Sequence, residues 1–273
     1  MKGAKENHIS NWTKPIRLTR DISIIYNDPH DMAAIIEVAL LDVYGIKSLA
    51  RGDAVLDLGA GVGEFSVFSS KRVGRSGLVI SVEPSPQDYE ALVRNVKDNG
   101  CSNVVTLRGA FSASRGKLDL RFKDHSFSAE TVSLQEVKRQ LQDCKRDGFD
   151  AIKIDIEGGE VEALSCLREI LGKTRCIMIE LHGTKENVDQ LLLPLGFRFR
   201  RLKRRDYIVS ALVYFLKHPK TFLHILRLFN STGENPGLGK LFRGIDITQS
   251  EELMVGVYEN LNSETSSHLR GDD

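Results

Sequence analysis

Hydrophobic positions along the chain fall into two rhythms. From residue 54 onward, short, mostly apolar runs alternate with stretches of helical period. The runs 54–58, 78–82, 104–107, 151–154, 176–181 and 197–202 read as strands, and 65–71, 87–99, 161–171 and 187–195 as helices. A mostly apolar strand leaves little face for water. The alternation therefore predicts a mostly parallel sheet with helices on both faces. Two segments, 117–122 and 130–134, break the rhythm and read as a hairpin or extended pair set into it. Before Gly52 the pattern is a helical preface. Asp28-Pro29-His30-Asp31 reads as a turn and cap, and 32–44 as a helix with Ala34, Ile35, Val38 and Leu41 at helical spacing. Its stripe is imperfect, because Asp42 shares that face while Ile36, Leu40 and Val43 lie opposite. Late in the chain, 208–216 and 221–229 read as apolar helices divided by His218-Pro219, 230–239 as loop, and 254–258 as a last strand. The expected organisation is an N-terminal helical extension (1–51), one α/β domain (52–260) with a helical insertion at about 207–246, and a disordered tail (261–273).

Composition narrows the class only a little. With 27% charged and 41% hydrophobic residues, the chain is ordinary for a globular protein, and its net charge of +1 names no partner. Cys101, Cys144, Cys166 and Cys176 fall at no metal-ligand or redox spacing, which suits packing roles in a reducing compartment. The opening residues lack the apolar stretch of a signal peptide, and no run is long and apolar enough to span a membrane. The expected location is the cytoplasm.

The sharpest local signal is Val55-Leu56-Asp57-Leu58-Gly59-Ala60-Gly61-Val62-Gly63, a strand running into a glycine turn that opens a helix. Missing side chains let a ligand approach the backbone, and the helix start offers free N–H groups. Glu64 stands where a dinucleotide fingerprint wants its third glycine, and Glu83 ends the next strand, where a carboxylate can accept both hydroxyls of a ribose. Asp57, placed before the glycines, favours a cationic ligand over a pyrophosphate. It can equally brace the loop. These features select S-adenosylmethionine over NAD, with Asp57, Gly59, Gly61, Gly63, Glu83 and Pro84 as cofactor-binding residues. Ala110 and Phe111, after the third strand, are expected near the adenine, with a core role as the plainer reading of Phe111.

Asp57 to Gly63, with Val82-Glu83-Pro84, resemble the class I S-adenosylmethionine-dependent methyltransferases. Within them, Ile80-Ser81-Val82-Glu83-Pro84-Ser85-Pro86, Leu92-Val93-Arg94-Asn95, Asn99-Gly100, Ile179-Glu180-Leu181-His182-Gly183 and above all Lys153-Ile154-Asp155-Ile156-Glu157-Gly158-Gly159-Glu160 resemble the FkbM family. The resemblance covers about 52–202 and implies a Rossmann-like seven-stranded sheet whose last strand runs antiparallel, and methyl transfer, usually to oxygen. The chain departs from the family where Asn commonly follows the first Gly-Ala pair; here it has Gly61. It departs again in its long interruption before the last strand.

Strand ends locate the chemistry, since ligands of an open parallel sheet lie beyond the C-terminal ends of its strands. Asp155, Glu157 and His182 are the expected catalytic residues. His182 has the ordinary pKa of a base, and the two carboxylates can orient a hydroxyl or the sulfonium. The plainer readings are helix capping for Glu157 and Glu160 and a loop hydrogen bond for His182. No metal is assigned, although Asp155, Glu180 and His182 form an alternative divalent-cation set. The expected acceptor is a hydroxyl of a sugar, glycolipid or other small metabolite. RNA is the first rival, supported by Arg198, Arg200, Arg201, Lys203, Arg204 and Arg205, whose plainer reading is a charged strand edge. A catalytically silent cofactor-binding protein is the second. The apolar insertion leaves room for a lid, a homodimer surface or a membrane-touching helix pair, besides ordinary packing.

Overall fold

The computed structural model describes residues 15–122, 125–201, 203–231 and 254–262. Residues 1–14, most of the loop expected at 230–239 and most of the tail expected at 261–273 lie outside them. The described chain opens on a short antiparallel hairpin, β1 (Ile16–Arg17) and β2 (Ser23–Ile24). Helix α1 (Pro29–Ile36) starts at the expected turn: Asp28 accepts the Asp31 N–H at 3.0 Å, and Pro29 opens the first turn, where its missing N–H costs nothing. The helix expected over 32–44 does not run through. It widens into a π-helical turn, Glu37–Leu41, and stops at Asp42 in the left-handed conformation (φ 53°). The wider turn explains the imperfect stripe, because Val38, Leu40, Leu41 and Val43 are all buried.

The first half of the main sheet follows as β3 (Ala54–Leu58), α2 (Glu64–Val73), β4 (Leu78–Glu83), α3 (Pro86–Asp98) and β5 (Val104–Arg108). Then β6 (Ala110–Phe111) leaves it to pair with β8 (His125–Val132), which forms the expected hairpin with β7 (Lys117–Phe122). The extended reading of 130–134 ends at Val132. Ser133 caps a helix unforeseen in the sequence, α4 (Leu134–Asp143): it takes the Glu136 N–H on its hydroxyl and gives its own N–H to Glu136 Oε2 at 2.8 Å. The second half comprises β9 (Ala151–Ile154), α5 (Glu160–Leu167), β10 (Cys176–Leu181), α6 (Lys185–Leu192) and β11 (Phe197–Arg201). After the insertion helices α7 (Arg204–Lys217) and α8 (Pro219–Ser231), β12 (Met254–Asn260) returns to the sheet.

The seven strands stand in the order β11-β12-β10-β9-β3-β4-β5, with β12 antiparallel to both its neighbours. This is the expected Rossmann-like sheet. Residues alternate between its faces. Val55, Val79, Ala151 and Met178 join a core with the N-terminal segment, α2 and α7, whereas Leu56, Ile80, Ile152 and Ile179 face α4, α5 and α6. The preface and the insertion thus cover one face together, and the Tyr214 hydroxyl donates to the Leu18 carbonyl across their boundary. The chain order reverses at β3, between β4 and β9, which opens the crevice where such sheets bind ligands.

Two asparagines on α3 tie the N-terminal segment down. The fully buried Asn95 donates to the carbonyls of Ile25 and Val62 and accepts the Ile25 N–H, each at 2.8 Å. Asn99 exchanges a similar pair with Ser23, at 2.9 and 2.7 Å. Replacing Asn95 by Ala strands those backbone groups away from water, one of them in the glycine loop. It is expected to lower stability by about 3 kcal/mol. Urea unfolding checks this, and a loss within experimental error would show that water replaces the amide.

Candidate active site

The loop after β3 is shaped by close packing. A Cβ at Gly59 would lie 1.8 Å from the Asp155 carbonyl oxygen, so only glycine lets β3 and β9 close at this point. At Gly61 the left-handed backbone (φ 53°) is the constraint, while the space beside it is open to within 3.8 Å of Glu64. Gly63 starts α2, and a Cβ there would strike Leu92. Glu83 fastens the loop from β4. One of its oxygens takes the Gly61 N–H and the other the Ser85 N–H, both at 2.7 Å. Burial pushes this carboxyl up to about 8. Pro84 follows half-buried, and the Gly109 N–H donates to the Glu83 carbonyl at 3.0 Å, which brings Ala110 and the half-buried Phe111 beside it.

Asp57 turns inward, away from the loop's open side. It is fully buried, accepts from Ser66 Oγ at 2.5 Å and pairs with Lys153 Nζ at 3.5 Å. Lys153 is itself buried, on the same face of β9. Its ammonium donates to the Gly59 carbonyl at 2.6 Å and lies 3.3 Å from Asp155. Burial draws its pKa down, but Asp155, Asp57 and Glu64 outweigh burial and raise it above the ordinary value. Glu64 is buried beside this group with one oxygen lacking a hydrogen-bond partner, and burial pushes it up to about 8.

At the ends of β9 and β10 the expected catalytic residues meet. Register places Ile179 opposite Ile154, so Glu180 follows on the face of Asp155. Between them stands Tyr44 from the preface, its hydroxyl 2.9 Å from Asp155 Oδ2 and 3.1 Å from Glu180 Oε2. Burial and both acids raise the phenol pKa, so Tyr44 stays a donor. Burial, then Asp155 and Glu37, push Glu180 up to about 8; burial, then Asp155, push Glu37 up to about 7. His182 has its Nδ1 2.8 Å from Glu160 and its Nε2 3.3 Å from Glu157 and 3.8 Å from Glu180. The Glu160 hydrogen bond and these acids overcome burial and raise it to about 9, so the imidazolium prevails at neutral pH. Glu157 sits in the left-handed region (φ 51°), a strained placement for a residue with a side chain. Glu160 opens α5 without capping its N-terminus through the side chain. Burial pushes its carboxyl up, but hydrogen bonds from His182, the Gly158 N–H and Thr184 hold it below the ordinary range.

All the expected site residues therefore gather at one end of the sheet. Glu157 and His182 touch, Asp155 joins them through Tyr44 and Glu180, and Asp57 reaches Asp155 only through Lys153. Sequence reasoning missed three participants. Lys153 was visible as the charged residue inside an apolar strand, whereas Tyr44 and Glu37 gave no signal, lying more than a hundred residues from Asp155. Ligand atoms of Asp155, Glu180 and His182 lie within 4.8 Å of one another, close enough for a divalent cation.

A glycine loop after β3, an acid ending β4 and a crevice at the reversal of strand order define a class I S-adenosylmethionine-dependent methyltransferase fold. Residues 57–230 match the Methyltransferase FkbM domain, and the chain belongs to this family. Its cofactor is S-adenosylmethionine, which the site fits: open space beside Gly61, a carboxyl for the ribose and a surplus of acid for a cationic ligand. Hexuronic acid methyltransferase AglP of Haloferax volcanii is 24% identical over 184 residues, spanning 60% of this chain and 73% of that protein. Protein-L-isoaspartate O-methyltransferase 1 of Archaeoglobus fulgidus is 38% identical over 81 residues, but the match spans only 30% of this chain and 34% of the relative. Among solved structures, Aeropyrum pernix fibrillarin with natively bound S-adenosyl-L-methionine superposes with a TM-score of 0.41 at 17% identity, covering 62% of this chain and 69% of that one. Precorrin-6y C5,15-methyltransferase from Geobacter metallireducens gives 0.43 at 16% identity, covering 59% and 72%.

The shifted acids carry a stability consequence with a definite sign. Glu37, Glu64, Glu83 and Glu180 rise from an ordinary 4.5 to about 7, 8, 8 and 8, and His182 from 6.5 to about 9. Each binds its proton more tightly folded than unfolded. Its contribution is full below the ordinary value and is lost as pH rises through the folded one. The melting temperature of the cofactor-free protein is expected to fall between about pH 4.5, where the glutamates begin to differ, and about pH 9, less steeply in Glu64→Gln. Calorimetric scans across that range check it, and a melting temperature that climbs with pH would refute it.

Proposed function

We propose that the chain transfers the methyl group of S-adenosylmethionine to a hydroxyl oxygen of a sugar, glycolipid or other small polyhydroxylated metabolite. The observation that carries this reading is the ring of hydrogen-bond acceptors at the ends of β9 and β10, set directly against the glycine loop. Asp155, Glu157 and Glu180 suit hydroxyl donors. A phosphate backbone would bring acceptors rather than donors to this ring, which weighs against RNA. The basic residues of β11 stand at the outer edge of the sheet, with β12 and β10 between them and β9. The name of AglP, a hexuronic acid methyltransferase, supports a sugar acceptor.

When bound, the cofactor supplies an electrophilic methyl group on a sulfonium. Gly61 would let it approach the backbone of the loop that Gly59 and Gly63 shape, Glu83 would take the ribose hydroxyls, and Pro84, Ala110 and Phe111 would bound the adenine end. Asp57 acts through Lys153, which fixes the Gly59 carbonyl. Asp155 holds the acceptor hydroxyl in line and takes its proton. Tyr44 steadies the carboxylate, and Glu157 and His182 orient the neighbouring hydroxyls. In this reading the imidazolium of His182 is a positioning donor, because the surrounding acids hold its proton. The sequence had cast it as the base. Positioning of this kind supplies much of the rate of an in-line displacement.

Two measurements test the assignment. Glu83→Ala should weaken cofactor binding by about tenfold or more, as loss of a charge-assisted hydrogen bond does. Asp155→Asn should leave binding within a few-fold and lower kcat by about a hundredfold or more. Calorimetry with labelled-methyl transfer to glycan, lipid and RNA acceptors separates the two effects. Wild-type kcat in Asp155→Asn would remove Asp155 from the chemistry, and cofactor binding without transfer to any acceptor would favour the silent protein.

A chelator test decides the cation alternative. One Asp155 oxygen is already shared by Tyr44 and Lys153, and the Lys153 ammonium would repel a cation placed beside it. Dialysis against EDTA is therefore expected to leave kcat unchanged. Loss of activity restored by magnesium or manganese would assign Asp155, Glu180 and His182 to a metal.

A further inference from the structure

Helix α7 is apolar on opposite faces. Tyr207, Ala211 and Tyr214 point into the core against the N-terminal segment. Ile208, Val209, Leu212, Phe215 and Leu216 point outward at helical spacing, with Val209 and Leu212 each 56% exposed and Leu216 76%. Leu223 of α8 extends the patch at 49% exposure, and Phe215 meets Phe222 edge-on at 5.2 Å, joining the two helices. Scattered apolar residues on a surface need no explanation, but a stripe along one helix pair does.

The charges around the stripe are basic but for Asp206, which lies 3.8 Å from Arg205. Lys203 and Arg205 lie exposed at the start of α7, and Lys217 and Lys220 at the junction with α8. Asp206 is the one acid of the two helices, and none occurs between 207 and 231. We propose that the outer face of α7 and α8 docks on the surface of an anionic lipid bilayer. The aliphatic stripe would sit at the boundary of headgroups and acyl chains, and the lysines and Arg205 would meet the headgroup phosphates. Among the described residues no helix is long and apolar enough to cross a membrane, so the pair lies on the surface. Leucine, valine and isoleucine offer nothing to RNA bases. A second copy would set like charges against each other at both ends of the stripe. The docking is independent of the acceptor chosen above.

Vesicle flotation of the full chain tests the proposal. Wild type is expected to float with phosphatidylglycerol-containing vesicles and to stay behind with phosphatidylcholine alone. Leu212→Asp with Leu216→Asp, and separately Lys217→Glu with Lys220→Glu, should each lower the bound fraction about tenfold or more while cofactor affinity by calorimetry stays unchanged. High salt should weaken binding. Leu216→Cys in a Cys144→Ser background, labelled with a polarity-sensitive dye, should shift to the blue on adding the anionic vesicles. The proposal is overturned if wild type fails to float, if both double variants float normally, or if wild type instead binds RNA with the same salt dependence. A wild-type dimer that the leucine variant dissolves would overturn it too, by making the face a self-association surface. So would slow dye labelling of the Leu216→Cys variant without vesicles, which would mean that the chain itself covers the stripe.

Discussion

The Lys153 ammonium, buried between β3 and β9, holds the rest of the site in place. An unpaired charge in such a position would cost several kcal/mol. Here the cost is met by three contacts at once: the Gly59 carbonyl at 2.6 Å, Asp155 at 3.3 Å and Asp57 at 3.5 Å. Register puts Lys153 opposite Asp57 on one side and Met178 on the other, so its side chain rises on the face that the N-terminal segment covers. From that point the order spreads in two directions. Through Gly59 it reaches the cofactor loop, and through Asp155 it reaches Tyr44, Glu180 and the acceptor side. Acids outnumber bases around it, with Asp57 and Asp155 facing one lysine and Glu64, pushed up to about 8, adding charge only above neutral pH. The crevice therefore keeps a negative bias suited to a cationic cofactor.

The preface belongs to this arrangement as much as the sheet does. Asn95 and Asn99 hold it by backbone-like hydrogen bonds, and Val62 of the cofactor loop shares the Asn95 amide with Ile25. Tyr44 stands over the Lys153 ammonium, 5.3 Å from ring centroid to nitrogen, and meets Phe65 edge-on. The π-helical turn and the left-handed Asp42 precede it directly, so the chain is already out of helical register where Tyr44 enters the cluster.

Much of this was legible in the sequence. Mostly apolar runs mark six of the main strands, whose covered faces leave little polar alternation, while the edge strand β11 alternates Phe and Arg. The glycine turn, Glu83 and the acids after β9 stand at strand ends that periodicity alone locates. The misses have distinct physical causes. Helix α4 was hidden because Glu130 to Val132 continue a strand. Yet Ser133 and Glu136, followed by Leu134, Val137 and Leu141 on one face, spell a capping box and an amphipathic helix. Lys153 was legible as an oddity and illegible as a hub, since its partners come from a different strand and from a loop. Tyr44 was beyond reach, because its contacts exist only once the preface has folded over the sheet. The protonation of His182 likewise depends on three glutamates that only the fold assembles around it.

The strand order also governs how the molecule can be completed. Among the described residues β12 is the last strand, yet it stands inside the sheet, between β10 and β11. Among the described strands β11 has no other neighbour in the main sheet. Until residues 254–260 arrive, the hydrogen-bonding edge of β10 stays bare, and β11 waits as a strand without a sheet. During synthesis the protein must thread its closing piece into a gap, after the whole excursion through α7 and α8 has been made. A chain cut short before Met254 would lose two strands and leave an unprotected edge on a third, the kind of surface through which partly made proteins aggregate.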